Sequence, residues 1–180
     1  YDFEFYHVVE SNDNGFICFG SLTSWSIGSS VTKFNSQGDV LWSKNVPSGA
    51  AAYSIDINQL NSDIIFSCTV GGGGGANKLV CMDSVGNVRW AKSGTGRAAS
   101  TLDGGYVFAT ESGGVINFIK YNAIGDTVWT KNYNDASWPN FYLREVRRTL
   151  DGGFIIGGRV GAFGADGCVI RTDSVGDTTW

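Results

Sequence analysis

The chain has a single histidine, a single methionine, two prolines and only 17% charged residues among its 180. One histidine excludes a His-based triad or a multi-histidine metal centre within these residues, and no Gly-x-Ser-x-Gly elbow offers a nucleophile for His7. Low charge suits strands better than the solvated faces of helices, and no useful window carries the 3.6-residue helical period. So few prolines exclude a proline-rich linker. No apolar run reaches the ~18 residues of a membrane helix, and Tyr1-Asp2-Phe3-Glu4 is not a signal peptide. A net charge of -4 argues against nucleic acid, whose binding needs a clustered basic surface. The one local basic cluster, Arg144, Arg147 and Arg148, is interrupted by Glu145. Cys18, Cys68, Cys81 and Cys168 lack the paired short spacings of a zinc site; buried thiols and one or more disulfides are the two readings left open.

What the chain does have is glycine, 26 in all, set in a repeating pattern. Four times a Gly stands four residues before a Trp: Gly38 and Trp42, Gly86 and Trp90, Gly125 and Trp129, Gly176 and Trp180. A second phrase precedes each pair: Asp13-Asn14-Gly15-Phe16, Asn61-Ser62-Asp63-Ile64, Asp103-Gly104-Gly105-Tyr106 and Asp151-Gly152-Gly153-Phe154. The separation from the residue closing this phrase to the Trp is 26, 26, 23 and 26 positions, so the register is kept and one connection is shortened. The last copy serves as a template. Leu143 to Thr149 reads as a first strand and Asp151-Gly152-Gly153 as a turn; Phe154 to Gly158 is a buried second strand, Cys168 to Thr172 a third, and Asp177 to Trp180 the start of a fourth. Second strands elsewhere are Phe16 to Gly20, Ile64 to Cys68 and Tyr106 to Thr110; third strands are Val31 to Phe34, Lys78 to Met82 and Phe118 to Tyr121.

A lone four-stranded sheet has two faces to bury, so such repeats stack face to face around an axis. The expected fold is therefore all-β, a β-propeller of four-stranded antiparallel blades at about 1–46, 47–94, 95–134 and 135–180. A sandwich is the competing architecture, but it gives no reason for every repeat to reuse one Trp. Four blades admit a closed four-blade ring or an arc of a larger propeller. The chain starts without Met and stops at Trp180, where other copies continue with Ser43-Lys44, Ala91-Lys92 and Thr130-Lys131; a fragment of a longer propeller, with further blades in the full-length chain, is expected.

The phrases Lys33-Phe34-Asn35-Ser36-Gln37-Gly38-Asp39-Val40-Leu41-Trp42 and Arg171-Thr172-Asp173-Ser174-Val175-Gly176-Asp177-Thr178-Thr179-Trp180 resemble the blades of quinoprotein-like, Trp-docking propellers. With Asp-Gly-Gly-Tyr/Phe, they look most like the repeats of large secreted bacterial proteins, many of which carry a type IX sorting domain. The resemblance implies an extracellular or cell-surface location and a structural role for Trp42, Trp90, Trp129 and Trp180, each packed between adjacent blades, with Gly38, Gly86, Gly125 and Gly176 in the turns. The chain departs from the cofactor-binding quinoproteins in the acid or Asn that lies seven positions before the Trp (Asn35, Asp83, Asn122, Asp173), one closer than theirs. It also misses the sialidase Asp-box, in which the Gly lies three rather than four before the aromatic.

Other features have plain explanations. Gly71 to Gly75 lacks the Lys-Ser/Thr and helix of a phosphate loop. The recurrent Asp39, Asp126, Asp177, Asp103 and Asp151 are turn formers before they are general acids or calcium ligands. His7 aligns with Ile55 and Glu145 on a first strand facing the central channel. No catalytic residue, metal or cofactor is assigned. The most site-like stretch is the aromatic insertion Trp138-Pro139-Asn140-Phe141-Tyr142, followed by Arg144 and Arg147, with Trp25 as a second candidate, because aromatic planes beside polar groups suit sugar rings or protein partners. The expected function is a non-catalytic module that binds or scaffolds protein or glycan, without nucleic acid or membrane insertion. The alternative is a fragment of a propeller enzyme, a quinone-dependent dehydrogenase or polysaccharide-acting hydrolase, whose active site needs other blades. Replacing Trp90 by Ala is expected to cost roughly 3–5 kcal/mol as loss of a large packed aromatic; a denaturant titration showing a loss below about 1 kcal/mol would remove the docking role from this position.

Overall fold

The structure is a computed structural model that describes residues 3–22, 29–46, 52–70, 76–134, 141–161 and 166–180. Among these residues the chain forms strands and turns and no helix. It divides into two compact units, Tyr1–Thr95 and Gly96–Trp180. In the first, β1 (Phe3–Glu10), β2 (Phe16–Leu22), β3 (Ser29–Phe34) and β4 (Val40–Val46) make sheet 1, and β5 (Ala52–Ile57), β6 (Ile64–Val70), β7 (Ala76–Met82) and β8 (Val88–Ser93) make sheet 2. In the second, β9 (Gly96–Ser100), β10 (Tyr106–Ser112), β11 (Val115–Tyr121) and β12 (Thr127–Tyr133) make sheet 3, and β13 (Phe141–Arg148), β14 (Phe154–Val160) and β15 (Asp166–Thr172) make sheet 4. Each sheet is an antiparallel meander in chain order. Sheet 4 starts its outer edge with a bridge from Thr172 to Thr178, and the Trp180 carbonyl accepts from the Arg171 N–H at 2.9 Å. The second strands begin where the turn chemistry put them, but run to Leu22, Val70 and Ser112, because the ladders continue past the expected ends.

Two turns recur at one end of every sheet. After the third strand, Asn35, Asp83, Asn122 and Asp173 each accept two backbone N–H groups on the side-chain Oδ1, from residues two and four further on, at 2.8–3.1 Å. The closing Gly of each turn then takes a positive φ of 81–89°, open to glycine at no steric cost. After the first strand, Ser11, Thr101 and Thr149 donate their hydroxyls to Asp13, Asp103 and Asp151 two residues on. Those carboxylates also accept the N–H groups of Gly15, Gly105 and Gly153 at 3.3 Å. Short polar side chains thus satisfy backbone groups that the strands leave over.

Within each unit, two sheets meet face to face. Each sheet has a forward face, carrying Ile17, Phe19 and Val31 in sheet 1, and a rear face, carrying Val8, Cys18 and Phe16 there. Phe19 on the forward face of sheet 1 packs against Phe66 on the rear face of sheet 2, ring centres 4.9 Å apart, in a core with Ile17, Val31, Ile55, Ile64 and Val80. Phe118 of sheet 3 meets Phe154 of sheet 4 edge-on at 5.4 Å, in a core with Val107, Ala109, Val146 and Ile156. Aromatic pairs at such separations add to simple area burial.

The repeated Trp sits at the rim of these contacts. The indole N–H of Trp42 donates to the Ser84 carbonyl of the next sheet's turn at 3.3 Å. A Cβ added to Gly86 in that turn would lie 2.8 Å from the Lys44 side chain and 3.3 Å from the Trp42 ring. In the second unit a Cβ at Gly176 would meet the Trp129 ring at 2.8 Å, while Tyr133 donates its hydroxyl to the Gly176 carbonyl at 2.7 Å and Lys131 pairs with Asp177 at 2.7 Å. A Trp and a residue two further on therefore clamp a glycine turn of the following sheet. Trp42, Trp90 and Trp129 are half-buried, whereas Trp180, expected to pack between blades, is 67% exposed. Gly38→Ala is expected to cost about 1–2 kcal/mol through its backbone conformation alone, since nothing lies within 4 Å of an added Cβ. Gly176→Ala is expected to cost about 1–3 kcal/mol more through overpacking against Trp129; equal urea midpoint shifts for the two would show that the clamp yields freely.

Candidate functional site

The first-strand turns of sheets 1, 3 and 4 each hold an acid tied to a cation on the third strand. Asp13 pairs with Lys33 at 2.6 Å, Asp103 with Lys120 at 2.5 Å, and Asp151 with Arg171. Hydrogen bonds from Lys33 and then Ser11 hold Asp13 down at about 2, and those from Thr149 and then Arg171 do the same for Asp151. Burial pushes Asp103 upward, but bonds from Lys120 and Thr101 leave it below the usual carboxylate range. A carboxylate held down in this way is ionised and paired at neutral pH, the opposite of what a proton donor needs. Among the later acids, Asp39 and Asp126 accept from the Asn side chains of their own turns at 3.0 and 3.4 Å.

Sheet 2 makes the same contact from different parts. Its turn, Asn58 to Asp63, has one residue more than Ser11 to Gly15, and the third-strand position of Lys33, Lys120 and Arg171 is filled by buried Cys81. The cation comes instead from the fourth strand: Arg89 Nε meets the buried Asp63 carboxylate at 2.9 Å. The added residue also changes the equivalence of the only histidine. His7 pairs with Phe19 as Ser54 pairs with Ser67, so it corresponds to Ser54 and not to Ile55. It lies half-buried on the forward face of sheet 1, its Nε2 3.4 Å from the Ala52 carbonyl, and faces sheet 2 rather than a channel. All four cysteines are free thiols, with burial pushing Cys68 up to about 12.

The aromatic and arginine candidates separate once the register is known. Trp25 and Trp138 lie outside the described residues. Phe141, expected in a binding surface, is fully buried in the core of the second unit, its ring laid over Gly158, where a side chain would collide with it. Tyr142, Arg144 and Arg147 are exposed on β13. A bulge between Leu143 and Glu145 leaves Arg144 as the extra residue and shifts Tyr142 opposite Arg159. The Arg159 guanidinium then lies 4.6 Å from the centre of the Tyr142 ring, close enough for a cation–π contact. Arg97 Nε donates to the Arg144 carbonyl at 2.7 Å, and Arg147 meets Glu145 at 3.5 Å. The arrangement is an exposed strip of one aromatic ring and several guanidiniums near the loop end of β13. It can stack a planar group and hydrogen-bond hydroxyls or carboxylates. Arg97 and Arg159 were not legible as members, since only the bulge brings Arg159 to Tyr142.

The first-strand bulge is shared. β1 and β5 shift register at Tyr6 and Tyr53, the positions equivalent to Arg144, so in three sheets the extra residue of the first strand is a Tyr or Arg. In the first unit a depression of about 300 Å³ lies at the opposite, turn end of the sheets, lined by the paired Asp13 and Lys33 with Asn12, Ile57, Ser62 and Ser84. Asn12 bridges it by donating to Ser62 Oγ at 2.9 Å and to the Gln59 carbonyl at 3.1 Å.

No protein-family profile matches the chain, and no curated protein matches it in sequence. Solved structures do match in fold. A Hadza microbial sialidase, Hz136, is 16% identical with a TM-score of 0.59, over 94% of this chain and 44% of its own. The Dos1 propeller is 12% identical with a TM-score of 0.63, over 98% of this chain and 46% of its own. The PQQ-bound aldose sugar dehydrogenase of Streptomyces coelicolor is 11% identical with a TM-score of 0.60, over 94% and 61%. The chain thus has the β-propeller fold, and it spans less than half the length of the first two of these proteins.

Arg89→Ala is expected to destabilise the chain by about 2–4 kcal/mol, because it takes the paired cation from the buried Asp63 carboxylate. Adding Cys81→Lys, which restores the cation where sheets 1, 3 and 4 keep it, should recover most of that loss in thermal or urea unfolding. No recovery would mean that the longer turn holds Asp63 out of reach of the third strand.

Proposed function

We propose that this chain is a non-catalytic β-propeller module of an extracellular or cell-surface protein that binds a protein or glycan at the loop end of its sheets. One observation carries this reading: the two ends of each sheet are chemically unlike. At the turn end, the recurrent acids and asparagines are engaged by their own turns and paired cations. At the loop end, the connections between second and third strands differ in every sheet, from Thr23 to Gly28 through the run Gly71 to Gly75 to the short Gly113-Gly114. Sequence freedom at one end of a rigid scaffold is the usual arrangement of a binding surface. The strip of Tyr142, Arg144 and Arg159 lies at that end, and Trp25 and Trp138 fall in connections between strands in the sequence. An aromatic ring flanked by guanidiniums favours an acidic sugar or an acidic protein segment over a neutral ligand.

The other reading, a piece of a propeller enzyme completed by further blades, draws on neighbours named as a sialidase and a dehydrogenase and on the chain covering only part of each. In that case the added blades supply reacting groups, since the recurrent turn acids of these sheets are already engaged.

A glycan array probed with the chain, with Trp138→Ala and Tyr142→Ala as paired controls, separates the possibilities. Binding weakened about tenfold or more in either variant, equivalent to roughly 1.4 kcal/mol, is expected. Binding unchanged in both moves the site elsewhere, and turnover of a sialoside or aldose by the chain itself would overturn the non-catalytic reading.

A further inference from the structure

The joint between sheets 3 and 4 uses the same positions as the joint between sheets 1 and 2, with one cation more. In the first unit, Asp13 and Lys33 of sheet 1 and Ile57 and Ser62 of sheet 2 line one depression, and the Asn12 amide reaches across to Ser62. The registers carry these positions into the second unit. Lys120 stands opposite Val107 as Lys33 stands opposite Ile17, and Arg148 stands opposite Phe154 as Ile57 stands opposite Ile64. Leu102 takes the place of Asn12 and lies against Gly152, where an added Cβ would meet it at 3.0 Å. In the first unit one acid and one base cancel. In the second, Arg148 brings a further positive charge to a position where sheet 2 has an isoleucine.

Arg148 is half-buried on the rear face of sheet 4, the face on which Phe154 meets Phe118 of sheet 3. Its Nε is buried and has no hydrogen-bond partner among the described residues. The carboxylates on its own strand, on the turn that follows and on the facing sheet are taken: Glu145 by Arg147, Asp151 by Arg171 and Asp103 by Lys120. The Lys120 side chain is only 9% exposed, and its ammonium has three donors to place. A buried charged donor left without an acceptor is costly, and a bound acceptor removes that cost.

We propose that Arg148 and Lys120 form an anion site at the turn end of this joint, which takes a small oxyanion: a sulfate, a phosphate or the carboxylate of an organic acid. Arg148 offers Nε and a neighbouring Nη in the fork that matches two oxygens of one group, and Lys120 adds a point charge from the facing sheet. Asp103 keeps Lys120 at the joint and, with its side chain 65% exposed, marks where the site opens to solvent. Glu10, Ile57 and Ser100 stand at the positions equivalent to Arg148 in the other sheets, so the site belongs to this joint. An ion held from both sheets ties them together, which makes the stability of the second unit depend on the anion present.

The test follows the Arg148 Nε–H resonance of the 180-residue chain, assigned by its loss in Arg148→Ile, during titration with sodium sulfate and, separately, sodium acetate at an ionic strength fixed with sodium chloride. The expected result is a saturable shift with one or both anions, at concentrations that leave the exposed Arg147 unmoved. The same anion should raise the thermal midpoint saturably in the wild type and not in Arg148→Ile. Arg148→Lys keeps the charge but loses the paired donors, so it should need about tenfold more anion for the same rise, and it carries the comparison should the Ile variant fail to fold. An Arg148 resonance that moves no more than that of Arg147 overturns the proposal. So does a midpoint that rises equally in wild type and variants, the general effect of sulfate on folded chains.

Discussion

The contact on which each unit depends is a tryptophan laid across a glycine turn of the next sheet. It works because the turn takes a positive φ at a residue with no side chain, so the turn presents a flat backbone surface. An indole can lie on that surface at van der Waals distance, as Trp129 does on Gly176. The indole N–H then finds a carbonyl in the same turn, as Trp42 finds that of Ser84 at 3.3 Å. Neither partner serves its own sheet in this contact. Gly86 and Gly176 thus serve a neighbouring Trp as much as the turn each closes.

The repeats hold their turns by interchangeable means. Sheets 1, 3 and 4 draw the cation for the first-strand acid from the third strand, and sheet 2 draws it from the fourth, with Cys81 buried where the lysine or arginine would be. The pairing is kept while the residue that provides it moves. An acid at 3% side-chain exposure requires a partner, and the sheet offers more than one position from which a long side chain reaches it. By contrast, the Asn or Asp that opens the second turn never changes place, because its oxygen serves backbone groups whose positions the turn itself sets.

Strand order, turn positions and the Trp register were legible in the sequence because they rest on local chemistry: an Asx oxygen, a glycine, an apolar run. What was not legible depends on backbone irregularity or on a distant partner. The extra residue in Asn58 to Asp63 moved the counterpart of His7 from Ile55 to Ser54. The bulge at Arg144 flipped the side chains before it and joined Tyr142 to Arg159, and no local signal marks such a bulge. Phe141 looked like part of an exposed aromatic insertion; it is core because Gly158, seventeen residues later, leaves room for its ring. Exposure of the candidate strip follows from the fold, whereas its composition is set by side chains that the repeat leaves free to vary.

A joint made the same way each time is also a joint that does not record which sheet it belongs to. Any sheet that carries the Trp on its outer strand and the glycine in its turn fits between any two others, so a gene encoding such a chain can gain, lose or exchange a sheet by one in-frame recombination without redesigning a core. The constraint on such a lineage falls on the turn end, while the connections at the loop end are free to vary one sheet at a time.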